Sequence, residues 1–88
     1  MINPQRRKQI TRAFLEALSM AGGYALEEGL LFNYVDDLVK PPLQFTERGC
    51  VTHDLKAAGL IRNAEDSLDP GLKQWVITEL GRNRLAAL

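Results

Sequence analysis

The sequence predicts a mainly α-helical fold with a small β-hairpin (α+β), on three observations. Apolar residues recur at helical spacing in three successive stretches, Gly and Pro punctuate the gaps between them, and the chain then switches to strand-like alternation around Asp69-Pro70-Gly71. With 88 residues, 45% hydrophobic and 25% charged, the composition is that of one small globular unit, so residues 1–88 are expected to form a single domain. That size excludes a two-domain enzyme.

Asn3-Pro4 opens the first helix, since Asn accepts from free first-turn amides and Pro fits the first helical position. It should run to about Met20, burying Ile10, Phe14, Leu15 and Leu18, and stop at Gly22-Gly23. Tyr24 to Leu26 reads as a short connection with at most one extended rung. A second helix buries Leu31, Tyr34, Val35 and Leu38, the i, i+3, i+4, i+7 set of one face, and ends at Pro41-Pro42.

The third helix is expected from Thr46, with its hydroxyl as cap and Phe45 and Cys50 forming a hydrophobic staple, to a C-terminal glycine at Gly59. At 100° per residue, Val51, Leu55 and Ala58 centre its buried stripe, leaving Gly49, Thr52, His53, Lys56 and Ala57 outward. Leu60-Ile61-Arg62 and Lys73 to Thr78 then make a two-stranded hairpin, the second strand turning Trp75 and Ile77 to one face. Trp75 is expected in the core, with a partner for its indole N–H. Thr78 caps a last short helix from Glu79 to about Leu88, whose Leu85 and Leu88 return to the core or meet a second subunit.

Eleven Lys and Arg balance eleven Asp and Glu, so no overall field draws the chain to nucleic acid or to an anionic membrane. The charges are nevertheless segregated. Arg6, Arg7, Lys8 and Arg12 make the first helix basic, in a first turn where the helix dipole disfavours cations. Such a cluster suits a phosphate or an acidic surface, or is simply a solvated terminus. Glu27, Glu28, Asp36 and Asp37 make the second helix acidic, and Glu65, Asp66 and Asp69 make the hairpin loop acidic. Tyr24 and Phe32 lie off the main stripe of helix two and are candidates for exposure at an interface.

The single Cys50 rules out an internal disulfide and favours a reducing compartment, and no apolar run nears the roughly 18 residues of a membrane span. A soluble, cytoplasmic protein is expected. Cys50 and His53 stand one turn apart with Asp54 adjacent, but a Cys-His nucleophile normally draws its members from separate elements around a cleft, so no catalysis is assigned. One Cys and one His also fall short of a structural zinc site, and no glycine-rich phosphate loop is present, so neither metal nor cofactor is expected.

Two segments carry a family resemblance. Thr46 to Ile61 looks like a recognition helix running through Gly59 into a first wing strand, and Trp75-Val76-Ile77-Thr78-Glu79-Leu80-Gly81-Arg82 is similar to a second wing strand and its following helix. Together they resemble the winged helix-turn-helix fold of bacterial regulators of the MarR and PadR type: three helices, a two-stranded wing and a short C-terminal helix. The resemblance implies a non-enzymatic double-stranded DNA-binding protein, a transcriptional regulator or a phage or mobile-element accessory factor, acting as a homodimer. Thr52, His53 and Lys56 would then face base edges, and Arg48, Arg6, Arg7 and Lys8 would touch phosphates. Helix one and the tail Arg84 to Leu88 are the candidate dimer surfaces. The acidic loop departs from the basic wing of minor-groove binders. The alternative is a protein-interaction module that docks a basic partner on Glu27, Glu28, Asp36 and Asp37 without binding DNA.

Overall fold

The computed structural model describes residues 3–22, 24–64 and 73–88. In chain order the elements are α1 (Pro4–Met20), β1 (Leu26–Glu27), α2 (Glu28–Leu38), α3 (Phe45–Ala57), β2 (Ile61–Asn63), β3 (Gln74–Ile77) and α4 (Glu79–Ala87). The expected turn at Asp69-Pro70-Gly71, the acidic loop residues Glu65, Asp66 and Asp69, and Gly23 lie outside the described residues.

α1 begins as its sequence demands, with Asn3 Oδ1 accepting from the Gln5 amide at 2.8 Å and Pro4 in the first turn. It is the spine of the molecule, touching α2, α3, α4 and β3, which is why it buries a wide face comprising Ile10, Ala13, Phe14, Leu15, Ala17 and Leu18. Gly22, at φ +64°, takes the left-handed conformation that follows the helix end.

The expected four-residue buried face of α2 is narrower. Leu31 and Val35 are buried, and Val39 continues their row, whereas Tyr34 and Leu38 stand half-exposed. The i, i+4, i+8 row is the one aimed at the core, and Tyr34 and Leu38 fall on its flank. Phe32, expected to be exposed, is partly buried instead and meets Phe14 edge-on, with centroids 6.0 Å apart at 81°. Tyr24 is exposed as expected.

Between α2 and α3 the turn is held by the Leu43 amide donating to Asp36 Oδ1 at 3.0 Å. The start of α3 departs from expectation. The helix begins one residue early, at Phe45, with Gln44 at the cap position, and Glu47 reaches back to accept from the Gln44 amide at 2.9 Å. Thr46 is therefore not the cap. Nor do Phe45 and Cys50 form a staple, since both side chains are exposed. The other end of α3 follows the sequence. Gly59 sits at φ +77°, its amide donates to Lys56 O and the Leu60 amide donates to Leu55 O, the paired bonds of a Schellman cap.

The sheet is antiparallel with order β1-β3-β2 and so has three strands where two were expected. β2 pairs Ile61 with Ile77 and Asn63 with Trp75, while the extended rung before α2 becomes β1, pairing Leu26 with Trp75. Val76 is buried along with Trp75 and Ile77, so β3 is covered on both faces. Thr78 Oγ1 accepts from the Gly81 amide at 3.0 Å and donates to Gly59 O at 2.6 Å, with Leu60 O 3.0 Å away, capping α4 and tying it to the α3–β2 junction. Leu85 and Leu88 are partly buried against the core.

Candidate nucleic-acid interface

The α3 side chains divide more unequally than a simple stripe. Glu47, Val51, Thr52 and Leu55 are buried and Arg48 is half-buried, whereas Ala58 is exposed. The buried arc is thus centred roughly 20–25° from the expected Val51, Leu55, Ala58 centre, toward Thr52 and Arg48. Thr52 is the correction that matters. Expected to face outward, it is buried, and its hydroxyl donates to Arg48 O at 2.7 Å. The outward arc consists of Phe45, Thr46, Gly49, Cys50, His53, Lys56 and Ala57.

Both carboxylates of α3 point to the α1 side, and each meets an arginine. Arg6 donates through Nε to Glu47 Oε2 at 3.1 Å and through Nη2 to Glu47 Oε1 at 3.2 Å, with a further bond to Pro42 O. The Arg6 guanidinium first, and the Gln44 amide second, hold the Glu47 carboxyl below its ordinary pKa. Two turns along, Arg7 Nη2 pairs with Asp54 Oδ2. The basic first turn of α1 is therefore largely a clamp onto α3 rather than a free cluster. Lys8 remains exposed and forms no ion pair among the described residues.

Arg48 is similarly engaged. Its Nη2 donates to Asp36 Oδ2 at 3.1 Å and its guanidinium lies 5.3 Å from the Phe32 ring centroid, bracing α3 against α2. Its Nε is buried without an acceptor among the described residues. Of the acidic set, Asp36 is occupied in this way, and Glu28 accepts from Trp75 Nε1 at 3.0 Å, while Glu27 and Asp37 stay exposed.

Beside the outward arc runs an open groove of about 400 Å³ between α3, α2 and β3, bounded by Phe45, Gly49, His53, Lys56, Lys73 and Trp75 among others. Lys56 Nζ stands 6.0 Å from the Trp75 ring centroid, which carries its charge along the groove wall. The groove thus brings together Arg48, Thr52, His53 and Lys56 of the expected site, the first two largely through buried atoms, and adds Lys73, Phe45 and the Glu28 carboxylate. Lys73 was legible in principle, since it precedes Trp75 by two residues in an alternating strand and so shares its side. Cys50 and His53 are both exposed on the arc, while Asp54 is tied to Arg7. Among the described residues no cluster of His, Cys, Asp and Glu could hold a metal ion, and no helix is long and apolar enough to cross a membrane.

A helix-turn-helix of α2 and α3, followed by a β2–β3 hairpin that a third strand completes, defines a winged helix-turn-helix fold. Among solved structures, the chain is similar to the PcaV transcriptional regulator of Streptomyces coelicolor, crystallised with its natural ligand, at a TM-score of 0.69 and 21% sequence identity. The match covers 86% of this chain and 48% of that one, so the chain spans about half the length of that regulator. No family model matches the sequence, and no curated protein matches it.

Proposed function

We propose that this chain is a double-stranded DNA-binding transcriptional regulator or accessory factor of the bacterial or phage type, cytoplasmic and non-enzymatic, working as a homodimer with α3 in the major groove. The observation that carries the reading is the disposition of charge on α3. Glu47 and Asp54 are turned to α1 and paired with arginines, so the arc a duplex would meet contains no carboxylate. His53 and Lys56 then face base edges, Thr46 and Gly49 allow close approach, and Lys73 and Lys8 touch flanking phosphates. Thr52 and Arg48 position the helix rather than read the duplex, and Arg6 and Arg7 hold its far side.

The alternative, a protein-interaction module docking a basic partner, is weakened by the engagement of Glu28 and Asp36 within the fold, which leaves only Glu27 and Asp37 of that surface exposed. A salt titration of duplex binding separates the two. A DNA reader loses affinity linearly in log–log form, and Lys56→Ala reduces the slope by roughly 1. Absence of duplex binding at low salt favours the module.

A further inference from the structure

The start of α3 carries a large apolar side chain that the fold does not use. Phe45 is 88% exposed, more than any other large apolar residue among those described. Its place is set from both sides of the helix. Glu47, gripped by two nitrogens of Arg6, fixes the side toward α1, and Arg48, bonded to Asp36 and lying over the Phe32 ring, fixes the side toward α2. At about 100° per residue, Phe45 then stands within about 20° of Lys56 and about 40° of Gly49, so the three share one edge of the outward arc.

The arc is divided along its length. Its N-terminal half presents Phe45, Thr46, Gly49 and Cys50, all exposed and none charged, and its C-terminal half presents His53 and Lys56. An added Cβ at Gly49 meets nothing within 4 Å, so the space beside Phe45 is open to a surface laid along the helix. The Glu28 carboxylate in the adjoining groove is engaged by the Trp75 indole N–H at 3.0 Å.

This division matches the chemistry of base edges. In the major groove the thymine C5-methyl is the apolar feature, and Phe packs on it, whereas guanine offers two acceptors that call for a donor such as Lys. Recognition helices set their N-terminal residues against those edges. An apolar protein surface laid over the same arc would strip water from Lys56 and leave it unpaired, while a duplex places phosphate and base acceptors beside it.

We infer that Phe45 is a specificity-determining residue, its ring packing on the C5-methyl of a thymine in the major groove, at the opposite end of the contacted stretch from Lys56. The inference deepens the DNA-binding reading above and rests on it.

The test uses a duplex enriched by the full chain from a randomised pool and remade with deoxyuridine in place of each thymine in turn, which removes the methyl and keeps the base-pairing bonds. In fluorescence anisotropy, substitution at one thymine should weaken wild-type binding about three- to fourfold, the loss of one buried methyl contact. Phe45→Ala should bind the thymine and deoxyuridine duplexes with equal strength. It should also keep the wild-type log–log salt slope, because an apolar contact releases no counterion, and keep the urea midpoint, because the ring lies outside the core. Selected duplexes that share no thymine, wild-type binding that tolerates deoxyuridine at every position, or a Phe45→Ala chain that still tells the two duplexes apart overturns the inference and leaves the DNA-binding reading standing. Failure of any duplex to bind at low salt removes both.

Discussion

Glu47 sits in a site only 8% exposed, accepting from two nitrogens of Arg6 and from the Gln44 amide, so one carboxylate joins α1 to α3 and fixes the α3 cap. Glu47→Gln keeps the shape but removes the charge facing a mostly buried guanidinium, and should cost about 2 kcal/mol in urea unfolding. The pH dependence has a definite sign. Because the folded-state pKa lies below the ordinary value, the unfolded chain takes up the proton first as acid is added. The stabilisation is therefore complete above the ordinary carboxyl range and disappears as pH falls through the lower folded value, and Glu47→Gln should flatten that acid limb. Thr52 separates a structural role from a reading one at the same scale. Thr52→Val, which removes the bond to Arg48 O, should lower stability by roughly 1 kcal/mol and leave the salt slope of duplex binding unchanged, whereas Lys56→Ala should lower the slope and leave the unfolding midpoint in place.

Two glycines mark opposite demands on the helices. At Gly81, near the start of α4, an added Cβ would lie 2.2 Å from Leu60 O and 2.8 Å from Ile77 Cγ1, and the first of these is backbone that cannot swing aside. Gly81→Ala should destabilise the fold by about 3 kcal/mol or detach α4, read by thermal unfolding and by hydrogen exchange at the Thr78 cap. At Gly49, in the middle of α3, an added Cβ meets nothing within 4 Å. Gly49→Ala should stabilise the chain by about 0.5–1 kcal/mol through helix propensity. It should at the same time weaken duplex binding, because the methyl stands on the arc where the backbone approaches the groove, so stability and affinity should move in opposite directions. Helix ends differ in the same way in how far the sequence alone reveals them. Asn3-Pro4, Gly59 and Thr78 act through bonds to near neighbours, and all three caps stand where the sequence places them. Thr46 was displaced from its expected cap because Glu47, held by Arg6 from 41 positions away, sets the rotation of the first turn of α3.

Across the whole molecule, zero net charge conceals an ordered arrangement in which Arg6, Arg7 and Arg48 each neutralise an acid of another helix. The cations left for a duplex near α3 are few, chiefly Lys56, Lys73 and Lys8. The log–log salt dependence should accordingly be shallow, with a slope of about −3 per protomer, and a slope twice as steep in a fluorescence-anisotropy titration would show that the arginine clamps open on DNA. What the chain by itself determined was the order of the elements, most of their ends and the core of α1, because hydrophobic period and caps are local properties that fold the same way in any context. What only the tertiary structure decided was direction and pairing. A row such as Leu31, Tyr34, Val35 and Leu38 spans more of a helix than one neighbour covers, so packing chose Leu31 and Val35 and left Tyr34 outside. Likewise Arg6 and Arg7 carry the same charge whether they await phosphate or grip Glu47 and Asp54. The choice depends on which helix lies within about 3 Å of them, a relation between segments some forty residues apart that no local pattern encodes.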